Sequence, residues 1–418
     1  MSRGPCESSL KLPELLAPAG SLEKLEFAIR YGADAVYLGG EKFGLRERAG
    51  NFSFDEMREG IAFAHARGTR VYVATNIIPH ESDLAALPDY LRKLEELEVD
   101  AIIVADPGVV ETAMKVAPKL ALHLSTQASV TNWQAAKMWQ DFGIKRVVLA
   151  RELSLAEIAE IKERTSVEIE VFVHGAICNS YSGRCLLSNH MTDRDANRGG
   201  CAQSCRWYYQ LYRNQGGLGV PLFSEGDVPY TMSSRDLSMI GRIKDLLEVE
   251  VDSLKIEGRM KSIHYVATIV NAYRRALELT VSGEMNEIEL LKLGEEVKKA
   301  SHRPLFTGFY DGVPGVGGQI YGKEAMVRKY DFVGQVLEFD EEQMVATIQQ
   351  RNNFKVGDEV EFFGPSTGFV QVIREIMDQE GERLDVARHP LEIIKVRVDE
   401  AVQPFDMLRK ESSLIFQQ

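Results

Sequence analysis

Ala101-Ile-Ile-Val-Ala-Asp106-Pro107 is the stretch whose reading decides the fold. A short, nearly continuous apolar run with β-branched residues reads as a strand buried on both faces. Asp106 puts a polar group at its C-terminal end, and Pro107 suits the first turn of a following helix. The same unit repeats in both directions. Towards the N-terminus, strands are predicted over 14–19, 35–40 and 70–76, with helices from Ser21, over 54–66 and over 84–97. Ser21 offers an N-cap there, and Glu23 favours the first turn. Towards the C-terminus, strands are predicted over 122–129, 146–153, 167–174 and 253–257, and helices over 133–142, 155–164, 238–248 and 263–279. Eight such units predict an α/β fold, a (β/α)8 TIM-barrel-like N-terminal domain. A doubly wound open sheet is the alternative, but no G-x-G-x-x-G follows the first strand.

Past residue 326 the pattern changes. Short strands are predicted over 333–339, 344–349, 359–363, 369–376 and 391–398, separated by turns such as Lys355-Val-Gly-Asp358. These predict a small C-terminal antiparallel β-barrel. The expected division is a flexible N-terminus over 1–12, a (β/α)8-like catalytic domain over 13–285, a connecting helix and linker over 286–325, and the β-barrel over 326–418. A cysteine-rich insert, 176–206, interrupts the catalytic domain.

The chain has 418 residues, 44% of them hydrophobic, enough for a sizeable core. No apolar run is long enough for a transmembrane helix, and the first residues lack a signal-peptide core. The expected location is therefore cytoplasmic, with no membrane partner. The net charge of −13 argues against broad electrostatic binding of nucleic acid. The charge is uneven, however. Residues 331–418 hold 18 Asp/Glu against 9 Lys/Arg, whereas 184–206 hold Arg184, Arg194, Arg198 and Arg206 against two aspartates. Those arginines are read either as a basic mouth or as ordinary surface charge.

Four of the five cysteines fall within 28 residues: Cys178, Cys185, Cys201 and Cys205. Cys6 stands apart near the terminus and is read as incidental. In a cytoplasmic protein, clustered thiols bind metals or do redox work more often than they form structural disulfides. The spacing C-x6-C-x15-C-x3-C has only one close pair, where zinc ribbons bring two. Iron–sulfur clusters tolerate uneven spacing, and four thiolates complete a 4Fe-4S cube. Gly175, Gly183, Gly199 and Gly200 would let the backbone approach a bulky cluster. Zinc, and buried or redox thiols, stay open. Cys178 follows the seventh strand by four residues, so the loop is expected over the barrel mouth, where such folds keep their chemistry.

The segment Glu170-Val-Phe-Val-His174-Gly-Ala-Ile-Cys178-Asn-Ser-Tyr-Ser-Gly183-Arg-Cys185-Leu-Leu-Ser188 closely resembles the signature of the collagenase-like peptidase U-32 family. Glu14-Leu-Leu-Ala-Pro-Ala-Gly20, Ala35-Val-Tyr-Leu-Gly39, Ser234-Arg-Asp-Leu237, Leu254-Lys-Ile-Glu-Gly-Arg259 and Phe306-Thr-Gly-Phe-Tyr310 resemble further blocks, in order. The nearest likeness is to the family's tRNA-hydroxylation subgroup. This resemblance implies a tRNA-modifying enzyme contributing to oxygen-independent 5-hydroxylation of wobble uridine, with prephenate as a required metabolite. It also implies that Cys178, Cys185, Cys201 and Cys205 ligate a 4Fe-4S cluster. The implied partners are tRNA and a small carboxylate such as prephenate. A family paralogue or a second copy is a further candidate, because an acidic chain needs help to hold RNA. Two other classes remain: a collagenase-like peptidase and a zinc-stabilised RNA-binding accessory protein. Against the peptidase, the chain has neither H-E-x-x-H nor G-x-S-x-G.

Candidate site residues follow from their places at strand ends. His174, beside the first thiol, could move protons, or could be a satisfied core histidine. Glu257 is its catalytic companion. Arg259 and Lys261 could clamp carboxylates or phosphates, with an internal ion-pair network as the alternative. Asn76, Thr126 and Gln127 could read a base edge, or merely cap loops. Arg184 and Arg198 would line a basic mouth. Tyr181, Trp207, Tyr208 and Tyr209 could stack on an extruded base, or belong to the core.

Overall fold

The computed structural model describes residues 11–45, 50–209, 212–215, 218–221, 230–320 and 329–412, with backbone alone for 208–209, 212–215, 218–221 and 230–231. Cys6 and the side chains of Tyr208 and Tyr209 therefore lie outside the described residues. Eight parallel strands form the N-terminal domain: β1 (Glu14–Pro18), β2 (Ala35–Gly39), β3 (Arg70–Thr75), β4 (Ala101–Val104), β5 (Ala121–Leu124), β6 (Arg146–Val148), β7 (Glu168–Ala176) and β8 (Ser253–Ile256). Each pairs with the next, and β8 pairs with both β7 and β1, which closes the barrel. The predicted (β/α)8 class is the observed one.

Local chemistry sets the helix starts. Ser21 Oγ accepts from the Lys24 amide at 3.3 Å, as a cap should. Ser53 with Glu56 and Ser154 with Glu157 form reciprocal capping boxes. Asp106 accepts from the Gly108 amide at 2.8 Å, and Pro107 opens the helix Pro107–Val116. Three expected spans are shorter or different. The fifth strand stops at Leu124, because Ser125 caps a single 3-10 turn, Thr126–Ala128. The sixth stops at Val148. Where a helix was expected over 238–248, Asp236–Ser238 is instead a strand antiparallel to β7, and the helix is Ile243–Glu248.

The helix Ile263–Val281 has twelve of its nineteen residues buried, because it is covered on two sides. One side packs on β1; the other meets the helix Glu287–Ala300 and the C-terminal domain. The stretch expected as a connector folds onto the barrel in its described part. Leu305–Phe306 pairs with Asp236–Leu237, and Tyr310 Oη donates to the Phe172 carbonyl at 2.6 Å.

The C-terminal domain is an eight-stranded antiparallel sheet running from Gly368–Val372 at one edge to Arg383–Leu384 at the other. It wraps its own apolar core, including Val333, Ile348, Phe362 and Ile394. Arg409 fastens it to the barrel. This guanidinium is 1% exposed, reaches Glu361 and Glu296 at 2.8 Å, and lies 4.0 Å from the Phe363 ring centroid. Among the described residues, no helix is long and apolar enough to cross a membrane.

Inside the barrel, the lower layer is polar. Arg146 Nη1 donates to Glu14 at 2.5 Å and to Glu170 at 3.3 Å; Tyr72 Oη donates to Glu14 at 2.7 Å; Lys255 Nζ donates to Glu170 at 2.8 Å. All five residues are buried. Desolvation alone would raise the Glu170 carboxyl, but Lys255 and Arg146 outweigh it and hold the group at about 2.

Candidate functional site

The C-terminal ends of the strands and the cysteine loop enclose one cavity of about 150 Å³. All four clustered cysteines line it, and none of them is in a disulfide. Asn76, Thr126, Gln127, Glu257 and Arg259 line the same cavity. Residues far apart in sequence meet here because the strands are parallel, so that every strand delivers its polar end to one face.

The loop is held by its own backbone. Ile177, just before the first thiol, is buried, and its carbonyl accepts from Arg206 Nη2 at 3.0 Å and Ser234 Oγ at 2.8 Å. Asn197 clamps Cys185 through both backbone groups, at 3.1 and 3.0 Å, while its own carbonyl accepts from the Ile78 amide of the barrel. Ser188 Oγ accepts from the Ala202 amide at 2.8 Å, and Arg194 donates to the Cys201 carbonyl at 3.1 Å. Ser182, Asp193 and Gln203 take left-handed conformations at φ of 50–56°. Non-glycine residues seldom do so, and such strain concentrates at functional sites. Gly175 has φ +105°, and a Cβ there would lie 2.6 Å from the Glu257 carbonyl, so only glycine lets the loop leave β7 at this angle.

The donor set is four soft sulfurs around a void. Burial pushes the Cys205 thiol up; Arg206 opposes this, and charge on the other three thiols adds to it, so the four sense one another. Yet among the described residues no three His, Cys, Asp or Glu side chains converge as ligands of a single ion would. Four thiols lining one cavity are the number of thiolates that a 4Fe-4S cluster or a four-coordinate zinc would need.

The cavity floor is positive. Lys255 and Glu257 point inward from β8 and the residue after it. Arg151 stacks 3.8 Å from the Phe172 ring centroid, and its Nη2 lies 3.9 Å from Glu257. Tyr37 Oη donates to Glu257 at 3.4 Å. A Cβ on Gly39 would sit 1.9 Å from Arg259 Nη1, so this glycine makes room for the guanidinium. Lys255 was not among the candidates from sequence. The alternation Ser253, Lys255, Glu257 on a strand was the available signal, since these three share the inner face. Arg151 was visible at a strand end but carried no role.

Six predicted site residues with described side chains do not line the cavity. Between Phe172 and His174, β7 carries one residue more than its partner: Phe172 pairs with Lys255, and His174 with Ile256. That bulge turns His174 to the outer face. There its Nδ1 lies 3.3 Å from Tyr273 Oη, and it is 1% exposed. Lys261 sits beside Tyr265, its Nζ 5.1 Å from that ring centroid, and burial lowers its pKa. Arg184 Nε donates to the Gln127 carbonyl at 2.6 Å, and Arg198 is paired with Asp83. Both arginines thus tie the loop to the barrel. Tyr181 and Trp207 are exposed on the loop, at 57% and 43%.

Burial makes two histidines acid-sensitive. Desolvation, aided by Arg146, lowers His123 to about 3; desolvation, aided by Lys261, lowers His174 to about 3. Both stay neutral in the fold while the unfolded chain binds protons near pH 6.5. Stability is therefore full above about pH 6.5 and falls as pH drops towards 3. Each histidine contributes a slope of up to roughly 1.4 kcal/mol per pH unit. Urea midpoints should fall clearly between pH 7 and pH 5.5; equal midpoints would refute the buried neutral histidines.

The profile of Peptidase family U32 matches residues 20–319, and that of the Peptidase family U32 C-terminal domain matches residues 328–409. A Bacillus subtilis protein named tRNA hydroxylation protein P1 is 51% identical, over 96% of this chain and 95% of the relative. An Escherichia coli protein named 23S rRNA 5-hydroxycytidine C2501 synthase is 39% identical over 64% of this chain and 40% of the relative. A Porphyromonas gingivalis protein named Collagenase is 31% identical over 94% of this chain and 97% of the relative. With both profiles matched in order along one chain, this protein belongs to the U32 peptidase family.

Proposed function

We propose that this chain is an RNA-modifying enzyme that contributes to oxygen-independent 5-hydroxylation of wobble uridine in tRNA. The observation that carries the reading is the enclosure of four thiols and the polar ends of barrel strands in one cavity. The names of the Bacillus subtilis and Escherichia coli relatives, one for tRNA and one for rRNA, support hydroxylation of an RNA pyrimidine. Cys178, Cys185, Cys201 and Cys205 would hold a 4Fe-4S cluster, which supplies electron transfer when bound.

The chain's own residues would do the rest. Arg151 and Arg259, beside a Lys255 already paired with Glu170, give the cavity floor cationic groups suited to a small carboxylate, for which prephenate is the proposed metabolite. Glu257 faces the same space and is placed to take up the proton released from the ring carbon. Tyr181 and Trp207 stand exposed on the loop, available for stacking on bases of a single-stranded RNA loop.

The pair that the peptidase reading would draw from the sequence, Cys178 with His174, does not form among the described residues. A cysteine nucleophile needs a histidine within hydrogen-bond reach. His174 is on the outer face of β7, bonded to Tyr273, and does not share the cavity with Cys178.

Two measurements test the proposal. Anaerobic purification should give about four iron and four sulfide per chain. Stoichiometric zinc without iron would favour the accessory-protein reading instead. In a strain with no redundant pathway, deleting the gene should remove 5-hydroxyuridine from tRNA digests analysed by mass spectrometry, and the full chain should restore it. Unchanged modification would end the tRNA reading.

A further inference from the structure

Gln127 is 3% exposed and lines the cavity, yet neither its Nε2 nor its Oε1 has a hydrogen-bond partner among the described residues. A buried amide without partners is rare in native structures and asks for an explanation. The rest of the residue is held. Its N–H donates to Ser125 Oγ at 3.4 Å, and its carbonyl accepts from Arg184 Nε at 2.6 Å. The neighbouring Thr126 hydroxyl is engaged with the Leu149 carbonyl at 3.0 Å, and Asn76 with Ser125 Oγ and the Leu45 amide. Of the three candidates for reading a base, only Gln127 keeps a complete donor–acceptor pair free on a pinned backbone.

We propose that Gln127 is the specificity-determining residue that grips the imide edge of the substrate uracil. This rests on the RNA-hydroxylation reading above. A side-chain amide presents an acceptor and a donor side by side in one plane. The uracil edge presents the complement, N3–H beside a ring carbonyl. Gripping that edge leaves the C5–C6 edge facing away from Gln127, so recognition does not cover the carbon to be hydroxylated. The site also explains the unpaired amide: it is satisfied only when the base is present. A site built to hydrogen-bond its substrate rejects analogues that lack the matching group, because its own polar atoms are then stranded.

The test is a two-by-two binding measurement with the full chain purified anaerobically. The probes are anticodon stem–loop RNAs carrying uridine or N3-methyluridine at the wobble position, the methyl removing the donor. The wild type should bind the uridine RNA about tenfold to a hundredfold more tightly than the methylated one. Gln127→Met, close in volume and without a polar pair, should bind both as weakly as the wild type binds the methylated RNA. If that variant does not fold, Gln127→Ala takes its place; it too lacks both polar atoms, so the same loss is expected. Losses that simply add, or a variant that keeps the wild-type preference, overturn the assignment. A changed iron content or visible spectrum with the preference intact would make Gln127 a support of the metal site, and also overturns it. If the wild type binds neither RNA, the RNA reading fails first and takes this assignment with it.

Discussion

Cys201→Ser is expected to strip the chain of most of its iron and to drop wobble 5-hydroxyuridine in a complemented deletion strain to the level of the deletion itself. Losing a group that merely supports a metal ligand costs about 10–100-fold in metal affinity or activity. Losing a ligand should cost more, so a fall of more than about a hundredfold is expected. Cys178→Ser, Cys185→Ser and Cys205→Ser should behave alike, because the four thiols share one cavity. Cys6→Ser, outside the cluster in sequence, should be neutral. The pattern across the series is the decisive readout. A single sensitive thiol, Cys178, with the other three indifferent, would point to a nucleophile and revive the peptidase. Four equivalent losses accompanied by loss of the visible spectrum would not fit a nucleophile at all. Iron and sulfide analysis on each variant, alongside nucleoside mass spectrometry, makes the comparison.

Arg146→Leu is expected to be the most damaging change to stability, at about 3–5 kcal/mol. Its guanidinium is 3% exposed and stands between two buried carboxylates, Glu14 and Glu170. Leucine fills much of the space but leaves both acids short of a counter-charge. Glu14 would retain Arg70 and Tyr72, and Glu170 would retain Lys255 and Ser253. Those partners keep the loss within this range. The site should survive at permissive temperature. Arg146 opens its strand, at the end of the barrel away from the cysteine loop, where such folds keep stability rather than chemistry. Urea titration of the wild type and the variant at pH 7 gives the difference. A loss under about 1 kcal/mol would mean that the buried network contributes specificity and little stability. Lost iron in a folded Arg146→Leu protein would contradict the separation of the two ends.

Much of the architecture is legible in the sequence. Runs such as 101–105 and 71–74 are apolar throughout because both faces of a parallel strand are covered, and covered strands leave that mark in composition. Ser21, Pro107 and Glu23 mark helix starts through local backbone chemistry alone. The thiols were legible as a group because they cluster in sequence, and Asn76, Thr126, Gln127, Glu257 and Arg259 because strand ends can be counted. Two kinds of expectation went astray. His174 was placed at the mouth by strand position, but one extra residue in β7 reverses which face it shows, and a bulge has no sequence mark in this run. Arg184 and Arg198 were read as a basic mouth or as ordinary surface charge, and Lys261 as a clamp or a member of an ion-pair network; instead both arginines bond to groups on other elements, and Lys261 lies against Tyr265, outside the cavity.

The sequence by itself determined the strand–helix rhythm, the barrel class, the thiol cluster and the family, since each is written in residues close together along the chain. Only the tertiary structure decided which polar side chains share the cavity. It brought in Lys255 and Arg151, turned His174 away, and left the Gln127 amide without a partner among the described residues. The reason is physical. Whether a polar atom is free depends on groups that arrive from distant strands and loops, and on a register that one inserted residue can reverse.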